Sequence, residues 1–333
     1  MISRDGSRDM IKHENFPLSS LLYYKIGGTA RYLLEASSRE DLQEAMEHVA
    51  SNRIDRLMVV GLGSNLLFPD GLFDGAVIRI AAGPLPQLRD LGNGLVEAFA
   101  GESLDDVITF GFQSGYAGLE WAGGLPGTVG AAIRGNVGAF GGELKDFLVS
   151  AELLARSEAG YEIRRLSNEE LCFAYRDSAV KRDRKLVVSS GLFGLRPTSG
   201  VDLESAKQRY HSNIDYRNRN HPMEFPTCGS VFKNIARREE VERILAVWPD
   251  ARENVDGRWH GKVSMGYAIK RFGLSGYRIG GAQISPKHNN FIVNLGDARF
   301  SDVYGLIEKV KREFSAAFGF VPEPEVEIVG LTP

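Results

Sequence analysis

The sequence predicts an α+β protein made of more than one domain. Strand-like and helix-like segments follow one another in mixed order, without the regular alternation of a doubly wound sheet. Residues 147–196 are rich in strand patterns, whereas helical patterns dominate after residue 205. A length of 333 residues is enough for two or three domains with cores of their own.

The N-terminal part begins with a helix and continues into strands. Ser38 precedes apolar residues at helical spacing, which predicts a helix with a serine cap. The apolar run before Gly61 predicts a strand that breaks into a glycine loop, and DGAVIRI and NGLVEAFAG are typical of strands. SLDDVITFGFQSG predicts an amphipathic helix that ends at Gly115.

The remaining elements are read in the same way. Strands are predicted in FLVSAELLA, YEIRRL and KLVVSSGLFGL, with a short helix in SNEEL. The polar helix DLESAKQRYHSNIDYRN indicates a domain boundary. Beyond it we predict two helices, a strand, a long helix and a final strand, in REEVERILAVW, VSMGYAIKRFG, NNFIVN, SDVYGLIEKVKREFSAAFG and VEIVG.

Composition argues against several classes of function. Hydrophobic residues make up 43% and charged residues 25%, an ordinary globular balance. A net charge of −3 gives no overall attraction to nucleic acid or to a membrane surface. Two cysteines do not make a disulfide framework, and no apolar run is long enough for a signal core or a bilayer span. We therefore expect a cytoplasmic protein with no nucleic-acid or membrane partner.

Two glycine loops are candidates for phosphate binding. GLGSNL, residues 61–66, lacks the third glycine of the dinucleotide fingerprint and leads to a strand, not to a helix. It is either a nest of backbone N–H groups for phosphate oxygens or a tight turn between strands. Residues 118–143 contain nine glycines, which suits a flat ligand lying along the backbone. Together the loops predict a dinucleotide in a non-Rossmann fold; the alternative for the second is a structural loop.

Seven blocks along the chain resemble one known family. They are YYKIGGTARYL, VVGLGSNLLF, GLEWAGGLPGTVGAAIRGNVGAFGGE, AYRDSAVK, PTCGSVFKN, GLSGYRIGGAQISPKHNNFIVN and EPEVEIVG. Together they are similar to the UDP-N-acetylenolpyruvoylglucosamine reductase (MurB) family, in its shorter type II form. The resemblance implies an FAD-binding region of the p-cresol methylhydroxylase/vanillyl-alcohol oxidase type, with a smaller α+β substrate domain.

The resemblance also implies domain bounds. Residues 1–85 would form the first FAD-binding subdomain, joined by a C-terminal strand within 321–333. Residues 86–204 would form the second FAD-binding subdomain, and 205–320 the UDP-sugar domain. Residues 235–261 are longer than the corresponding family linker. We predict a helical excursion there, packed by Trp248 and Trp259; the alternative is that it reshapes the substrate entrance.

The activity that the resemblance implies is NADPH-dependent, FAD-mediated reduction of UDP-N-acetylglucosamine enolpyruvate to UDP-N-acetylmuramate, a step of peptidoglycan precursor synthesis. NADPH would be a co-substrate, no metal would be needed, and a monomer is expected. The FAD would be non-covalent, since no histidine lies between His48 and His211 and Cys172 is the only cysteine before the polar helix.

The site residues follow from the matching motifs. Arg176 would bind the substrate carboxylate with its planar fork, Glu325 would share a proton or hydrogen bond with it, and Ser230 would donate a proton to carbon. The cofactor would be held by Gly61, Gly63, Ser64, Asn65, Leu66, Gly124, Pro126, Gly127, Thr128, Gly135, Asn136 and Gly138. The substrate would be held by Lys233, Asn234, Lys262 and Gln283.

Other interpretations compete with this one. From spacing alone, Arg176, Ser230 and Glu325 are ordinary surface and turn residues. A related flavin oxidase that uses O₂ disagrees with the missing covalent tether, and a binding protein without catalysis disagrees with the intact trio. A thiol hydrolase built on Cys228 lacks a recognisable base; we expect Cys228 to be a small buried residue beneath its loop.

Overall fold

The computed structural model describes residues 11–157 and 160–330. Its strands are β1 (Ile11–Pro17), β2 (Thr29–Ala36), β3 (Leu57–Val60), β4 (Leu66–Leu67), β5 (Leu72–Ile80), β6 (Leu88–Gly92), β7 (Leu95–Phe99), β8 (Tyr116–Ala117), β9 (Gly138–Ala139), β10 (Gly142–Glu143), β11 (Leu148–Ser157), β12 (Gly160–Ser167), β13 (Leu186–Gly194), β14 (Arg196–Pro197), β15 (Thr227–Ser230), β16 (Arg278–Ile279), β17 (Ala282–Ile284), β18 (Phe291–Asn294) and β19 (Glu327–Ile328).

The helices complete the α+β architecture. They are α1 (Arg39–Ser51), α2 (Leu104–Gln113), α3 (Val129–Gly135), α4 (Ala179–Arg182), α5 (Gly200–Asn220), α6 (Arg238–Val247), α7 (Arg252–Asp256), α8 (Met265–Arg271) and α9 (Phe300–Phe318).

The described chain groups into two compact units. The first contains residues 11–16, 30–62 and 73–216, and the second contains 17–29, 63–72 and 217–330. The second unit thus includes two segments from the N-terminal part of the chain. The three-part division into 1–85, 86–204 and 205–320, with its joining strand in 321–333, stays a prediction.

The first unit is built on two sheets. One has the strand order β1-β2-β5-β3, with β3 parallel to β5; the other is antiparallel, in the order β12-β11-β13-β7-β6. The cap of α1 is as predicted, since the Ser38 hydroxyl accepts the Asp41 N–H at 3.0 Å. Helix α3 packs closely on β13, because Gly191 has no side chain: a Cβ there would lie 2.8 Å from Ile133 Cδ1.

The second unit packs α9 against the sheet β15-β18-β17-β16. All four residues of β18 are buried, and α9 buries an apolar stripe before it ends at Gly319, whose φ is +72°. The excursion at 235–261 is helical and packed by its tryptophans, as predicted. Trp248 contacts Phe318 edge-on at 4.8 Å, and Trp259 lies 4.8 Å from Tyr267 between ring centroids.

One local prediction was wrong, and one helix was missed. SNEEL is a turn, not a helix. Ser167 and Glu170 hydrogen-bond to each other's backbone as at the start of a helix, but Cys172 then takes a left-handed φ of +45°, which prevents the helix from continuing. The glycine-rich run 118–143 contains the helix α3, which we did not predict. The Thr128 cap and the apolar spacing of Val129, Ala132 and Ile133 were the signals for it.

Candidate active site

Arg176 lies at the tip of a tight turn in the first unit. Ala174 and Asp177 exchange both backbone hydrogen bonds, at 3.0 and 3.1 Å, and Arg176 between them has a left-handed φ of +57°. The Arg176 Nη2 donates to the carbonyl of Gly138 at 2.5 Å, and Lys181 Nζ donates to the backbone carbonyl of Arg176 at 2.8 Å. The guanidinium is thereby placed beside the hairpin of β9 and β10.

The residues around this hairpin explain why Arg176 can approach it. A Cβ on Gly138 would lie 3.1 Å from Arg176 Nη1 and 2.7 Å from the carbonyl of Gly142. Burial by itself would raise the pKa of Glu143, but the hydrogen bond and charge of Lys145, with smaller contributions from Asn136 and Arg176, lower it below its ordinary value. Glu143 therefore remains a carboxylate near the arginine.

Asn136 joins the glycine run to the turn that carries Arg176. Its side chain is fully buried, and its backbone is left-handed, with φ +41°, at the C-terminus of α3. The amide donates to the carbonyl of Ala174 at 2.9 Å and accepts the N–H of Lys145 at 3.1 Å. These contacts stabilise the protein backbone; a role for Asn136 in cofactor binding stays a prediction.

Gly61, at the start of the first glycine loop, touches the second glycine loop within the first unit. A Cβ on Gly61 would lie only 2.4 Å from Thr128 Oγ1, so this position accepts glycine alone without movement of the neighbouring loop. Thr128 is buried and caps α3 through the N–H of Ala131. The predicted cofactor residues 61 and 128, far apart in sequence, are thus brought into contact.

Each of the two loops, taken by itself, has chemistry that fits part of an FAD. In the part of the chain that the structure describes, the backbone N–H groups of Leu62, Gly63 and Asn65 donate to no protein acceptor, which suits binding of phosphate oxygens. A Cβ on Gly127 would meet only Leu125, at 3.8 Å, and one on Gly135 would meet nothing within 4 Å. These glycines leave open space in which a ligand can approach the backbone.

The remaining predicted cofactor residues occupy the same two loops. Gly124 has a φ of +68°, and its N–H donates to Asp105 Oδ1 at 3.2 Å. Pro126 follows it before Gly127. Asn65, which follows Ser64, donates from Nδ2 to the carbonyl of Glu325 at 3.1 Å. Leu66 pairs with Glu327, in the parallel pair of strands β4 and β19.

Gly135→Ala tests whether Gly135 is needed for a ligand to approach the backbone or for the stability of the protein itself. Because its Cβ would meet no protein atom and alanine favours helix, we expect the apoprotein to be at least as stable as the wild type. If FAD approaches this backbone, the added methyl group weakens its binding by about tenfold. Thermal melting of the apoprotein and a fluorescence titration with FAD measure the two effects. Unchanged FAD affinity would remove Gly135 from the cofactor site.

Ser230 and Glu325 come together in the second unit. Ser230 ends β15 opposite Phe291, directly after Gly229, whose φ of +80° accompanies a register shift in the pairing. The Glu325 N–H donates to the carbonyl of Val231 at 2.7 Å, so the two residues lie on adjoining backbone segments. Tertiary pairing thus unites positions that are distant in sequence.

Asn290 supports this arrangement, a role that was not predicted for it from the sequence. Its side chain is 4% exposed, and it accepts the Phe232 N–H at 3.1 Å and donates to the Phe232 carbonyl at 2.9 Å. Its own carbonyl accepts the Val231 N–H at 2.8 Å. An amide that fits a backbone segment in this way holds the chain that follows Ser230 in place.

Polar atoms without partners lie near the same strand. Among the described residues, His288 Nδ1 and Asn289 Oδ1 are buried without a hydrogen bond. The His288 ring lies 4.6 Å from that of Phe291, the residue opposite Ser230, and burial lowers the pKa of His288. Burial, together with the charges of His288, Arg217 and Lys287, lowers the pKa of His221 to about 4. The unpartnered Nδ1 of His288 and Oδ1 of Asn289 favour a polar ligand here.

Cys228 is unsuited to nucleophilic catalysis. It is 2% exposed, and burial raises the pKa of its thiol to about 12, with the charge of Glu325 adding to the rise. The reactive form of cysteine is the thiolate, which is negligible at neutral pH under these conditions. Its place as a small buried residue beneath the loop is confirmed.

The predicted substrate residues all lie in the second unit, in differing environments. Lys233 Nζ lies 2.5 Å from Glu323 Oε1, and Asn234 Oδ1 accepts the Met265 N–H at 3.0 Å. Lys262 is half-buried just before α8, and Gln283 in β17 donates to the carbonyl of Gly276 at 3.0 Å. Their contacts with a substrate stay a prediction.

Within the residues that the structure describes, no group of three or more His, Cys, Asp or Glu side chains could hold a metal ion. No helix in the described ranges combines the length and the apolar character needed to cross a bilayer.

Comparisons with known proteins agree with this geometry. Residues 30–159 match the model of an FAD binding domain, and residues 221–329 match the model of the UDP-N-acetylenolpyruvoylglucosamine reductase C-terminal domain. The reductases of that name from Synechococcus sp. (strain WH7803) and Lactobacillus johnsonii are each 35% identical to this chain. The alignments cover 96% and 95% of this chain, respectively, and 94% of each relative.

A solved structure extends the similarity to the whole fold. The crystal structure of MurB from Thermus caldophilus has a TM-score of 0.71 and 28% identity, over 96% of this chain and 98% of that one. The predicted class is therefore confirmed: an α+β protein with an FAD-binding region of the p-cresol methylhydroxylase/vanillyl-alcohol oxidase type. The chain belongs to the UDP-N-acetylenolpyruvoylglucosamine reductase family.

Proposed function

We propose that this protein reduces UDP-N-acetylglucosamine enolpyruvate to UDP-N-acetylmuramate, with NADPH as the electron donor and non-covalent FAD as the cofactor. It would be a flavin-dependent oxidoreductase of the CH–CH group, acting in the cytoplasm as a monomer in peptidoglycan precursor synthesis. The observation that carries the proposal is the placement of Ser230 beside the segment of Glu325, in a chain of this reductase family.

The protein's task follows from the chemistry of an enolpyruvyl ether. When bound and reduced by NADPH, FAD would supply a hydride to the terminal methylene carbon. Negative charge then develops at the neighbouring carbon and is delocalised into the carboxylate as an enolate. The side chains must hold that carboxylate, stabilise the charge and deliver one proton to carbon.

Arg176 is the proposed carboxylate ligand. A guanidinium has five N–H donors in a planar fork, and one Nη2 donor already bonds to the carbonyl of Gly138. This bond, with the left-handed turn, sets the plane of the fork before substrate binds. Because charge on the carboxylate grows as the enolate forms, a preoriented arginine stabilises the transition state more than the ground state.

Ser230 and Glu325 have the proposed proton roles. The backbone bond between Val231 and Glu325 keeps these residues on neighbouring segments. Ser230 would place its proton at the carbon next to the carboxylate, and Glu325 would share a hydrogen bond with the enolate oxygens. Lys233 and Asn234, which follow Ser230 within four residues, are proposed to support it and to contact the substrate.

Denaturation and two half-reactions test the proposal. The purified protein should be yellow and should release one FAD per chain into the filtrate when it is denatured. Under anaerobic conditions NADPH should bleach the flavin, and UDP-N-acetylglucosamine enolpyruvate should restore its colour. Flavin that stays attached to the chain would contradict the non-covalent site. Reoxidation by O₂ but not by the enolpyruvyl ether would favour the oxidase alternative, and bleaching without turnover would favour a binding protein.

A further inference from the structure

Asp105 connects one end of the glycine-rich loop 118–127 to helix α5. Its Oδ1 accepts hydrogen bonds from the Gly124 N–H and from the Tyr210 hydroxyl, each at 3.2 Å. Tyr210 is 8% exposed, and burial, with the charge of Asp105 adding to it, raises its pKa to about 12. The hydroxyl therefore remains a hydrogen-bond donor at neutral pH. The helix also touches the loop directly, since a Cβ on Gly123 would lie 2.6 Å from the Tyr210 carbonyl.

Glu120 connects the other end of the loop to the same helix. Glu120 is 8% exposed, and its carboxylate accepts hydrogen bonds from the Gly118 N–H and from Arg209 Nη2, both at 2.7 Å. Asn213 Nδ2 donates to its carbonyl at 3.0 Å. Arg209 and Asn213 are four residues apart and so face the same side of α5. Two carboxylates and three residues of one helix thus hold both ends of the loop.

We propose that α5 clamps this loop in the conformation that binds FAD, with Tyr210 and Arg209 as positioning residues that act through Asp105 and Glu120. The inference rests on the proposed FAD site at Gly124, Pro126 and Gly127. Neither side chain needs to touch the cofactor. A loop rich in glycine loses much conformational entropy when it is ordered. Because the contacts with α5 order the loop before FAD binds, less entropy is lost in the binding step and FAD binds more tightly.

Tyr210→Phe removes one hydrogen bond and keeps the ring, including its edge-on contact with Phe112 at 5.8 Å. We expect the FAD dissociation constant of the full-length apoprotein to rise about 3- to 10-fold, because Asp105 loses one of its two partners. At saturating FAD, kcat and the KM for the enolpyruvyl substrate should return to the wild-type values. Tyr161→Phe, in strand β12 of the same unit, is the matched control and should leave FAD affinity unchanged.

Arg209→Met should make FAD affinity depend on pH. Burial alone would raise the pKa of Glu120, but its hydrogen bonds with Arg209 and Gly118 lower it below its ordinary value. The charged, strongly accepting form thus persists in the wild type as pH falls, and affinity stays level between pH 8 and 5.5. Without Arg209, the carboxylate keeps the Gly118 N–H, and among the described residues Arg196, at 4.0 Å, is the cation that still faces it, so the pKa of Glu120 rises. The FAD dissociation constant should then increase as pH falls through that range, by about tenfold.

Two variants of α5 complete the experiment. Arg209→Lys keeps the charge and should restore a level pH profile. Lys207→Met removes a cation from an exposed pair with Glu204 and should behave as the wild type. The clamp is refuted if Tyr210→Phe and Arg209→Met bind FAD within twofold of the wild type at every pH, or if excess FAD fails to restore kcat. A wild-type protein that binds no FAD would instead overturn the proposed function, and the clamp with it.

Discussion

Ser230→Ala is expected to slow reoxidation of the reduced flavin by UDP-N-acetylglucosamine enolpyruvate about 10²–10⁴-fold, the usual contribution of a general acid. Flavin content and the rate of flavin reduction by NADPH should match the wild type. The reason is that the serine has one task, delivery of a proton to carbon, and that task belongs to the second half-reaction only. Anaerobic stopped-flow absorbance measures the two half-reactions separately.

The local structure makes this substitution a clean one. Ser230 is partly exposed at the end of β15, and the segment after it is held by Asn290 and by the pairing with Glu325, none of which uses the serine hydroxyl. The fold should therefore tolerate alanine. Cys228→Ser, two residues earlier, is the matched control and should retain most of the turnover, because the buried thiol takes no part in the reaction. If the cysteine variant loses reoxidation and the serine variant keeps it, the roles given to these two residues are reversed.

Arg176→Lys is expected to slow the same half-reaction about 30–1000-fold, which corresponds to roughly 2–4 kcal/mol of lost transition-state stabilisation. Lysine keeps the positive charge but cannot make the two-pronged contact with a carboxylate. It also cannot reproduce the Nη2 bond to Gly138 and still present a planar face to the substrate. Flavin reduction by NADPH should be unaffected.

Arg182→Lys provides the control in the same segment. Arg182 pairs with Asp177 and donates to the carbonyl of Cys172, and it is about half exposed. The same change of side chain there should leave both half-reactions near the wild-type rates, since exposed ion pairs contribute little. Equal damage to both half-reactions in Arg176→Lys would indicate a disturbed flavin site and would contradict the carboxylate role.

Much of the secondary structure was predictable because its signals are local. The cap of α1, the apolar stripe of α9 and the glycine that ends α2 depend on residues within a few positions of one another. The two glycine loops are equally visible, since a backbone that must be approached closely excludes side chains whatever the rest of the chain does. The motifs that resemble the reductase family are contiguous blocks of the same kind.

The contacts that could not be predicted from the sequence join residues that are distant along the chain. Nothing near Asp105 or Glu120 indicates that α5, about 90 to 105 residues later, supplies their hydrogen-bond partners. SNEEL has helical composition but forms a turn, because Cys172, directly after it, takes a left-handed φ of +45°. Helix α3 forms in spite of its two glycines because Gly191 of β13 leaves room for Ile133. Periodicity and caps are properties of neighbouring residues. The backbone bond between Glu325 and Val231, the residue after Ser230, depends instead on packing and register across the folded unit, which no local pattern records.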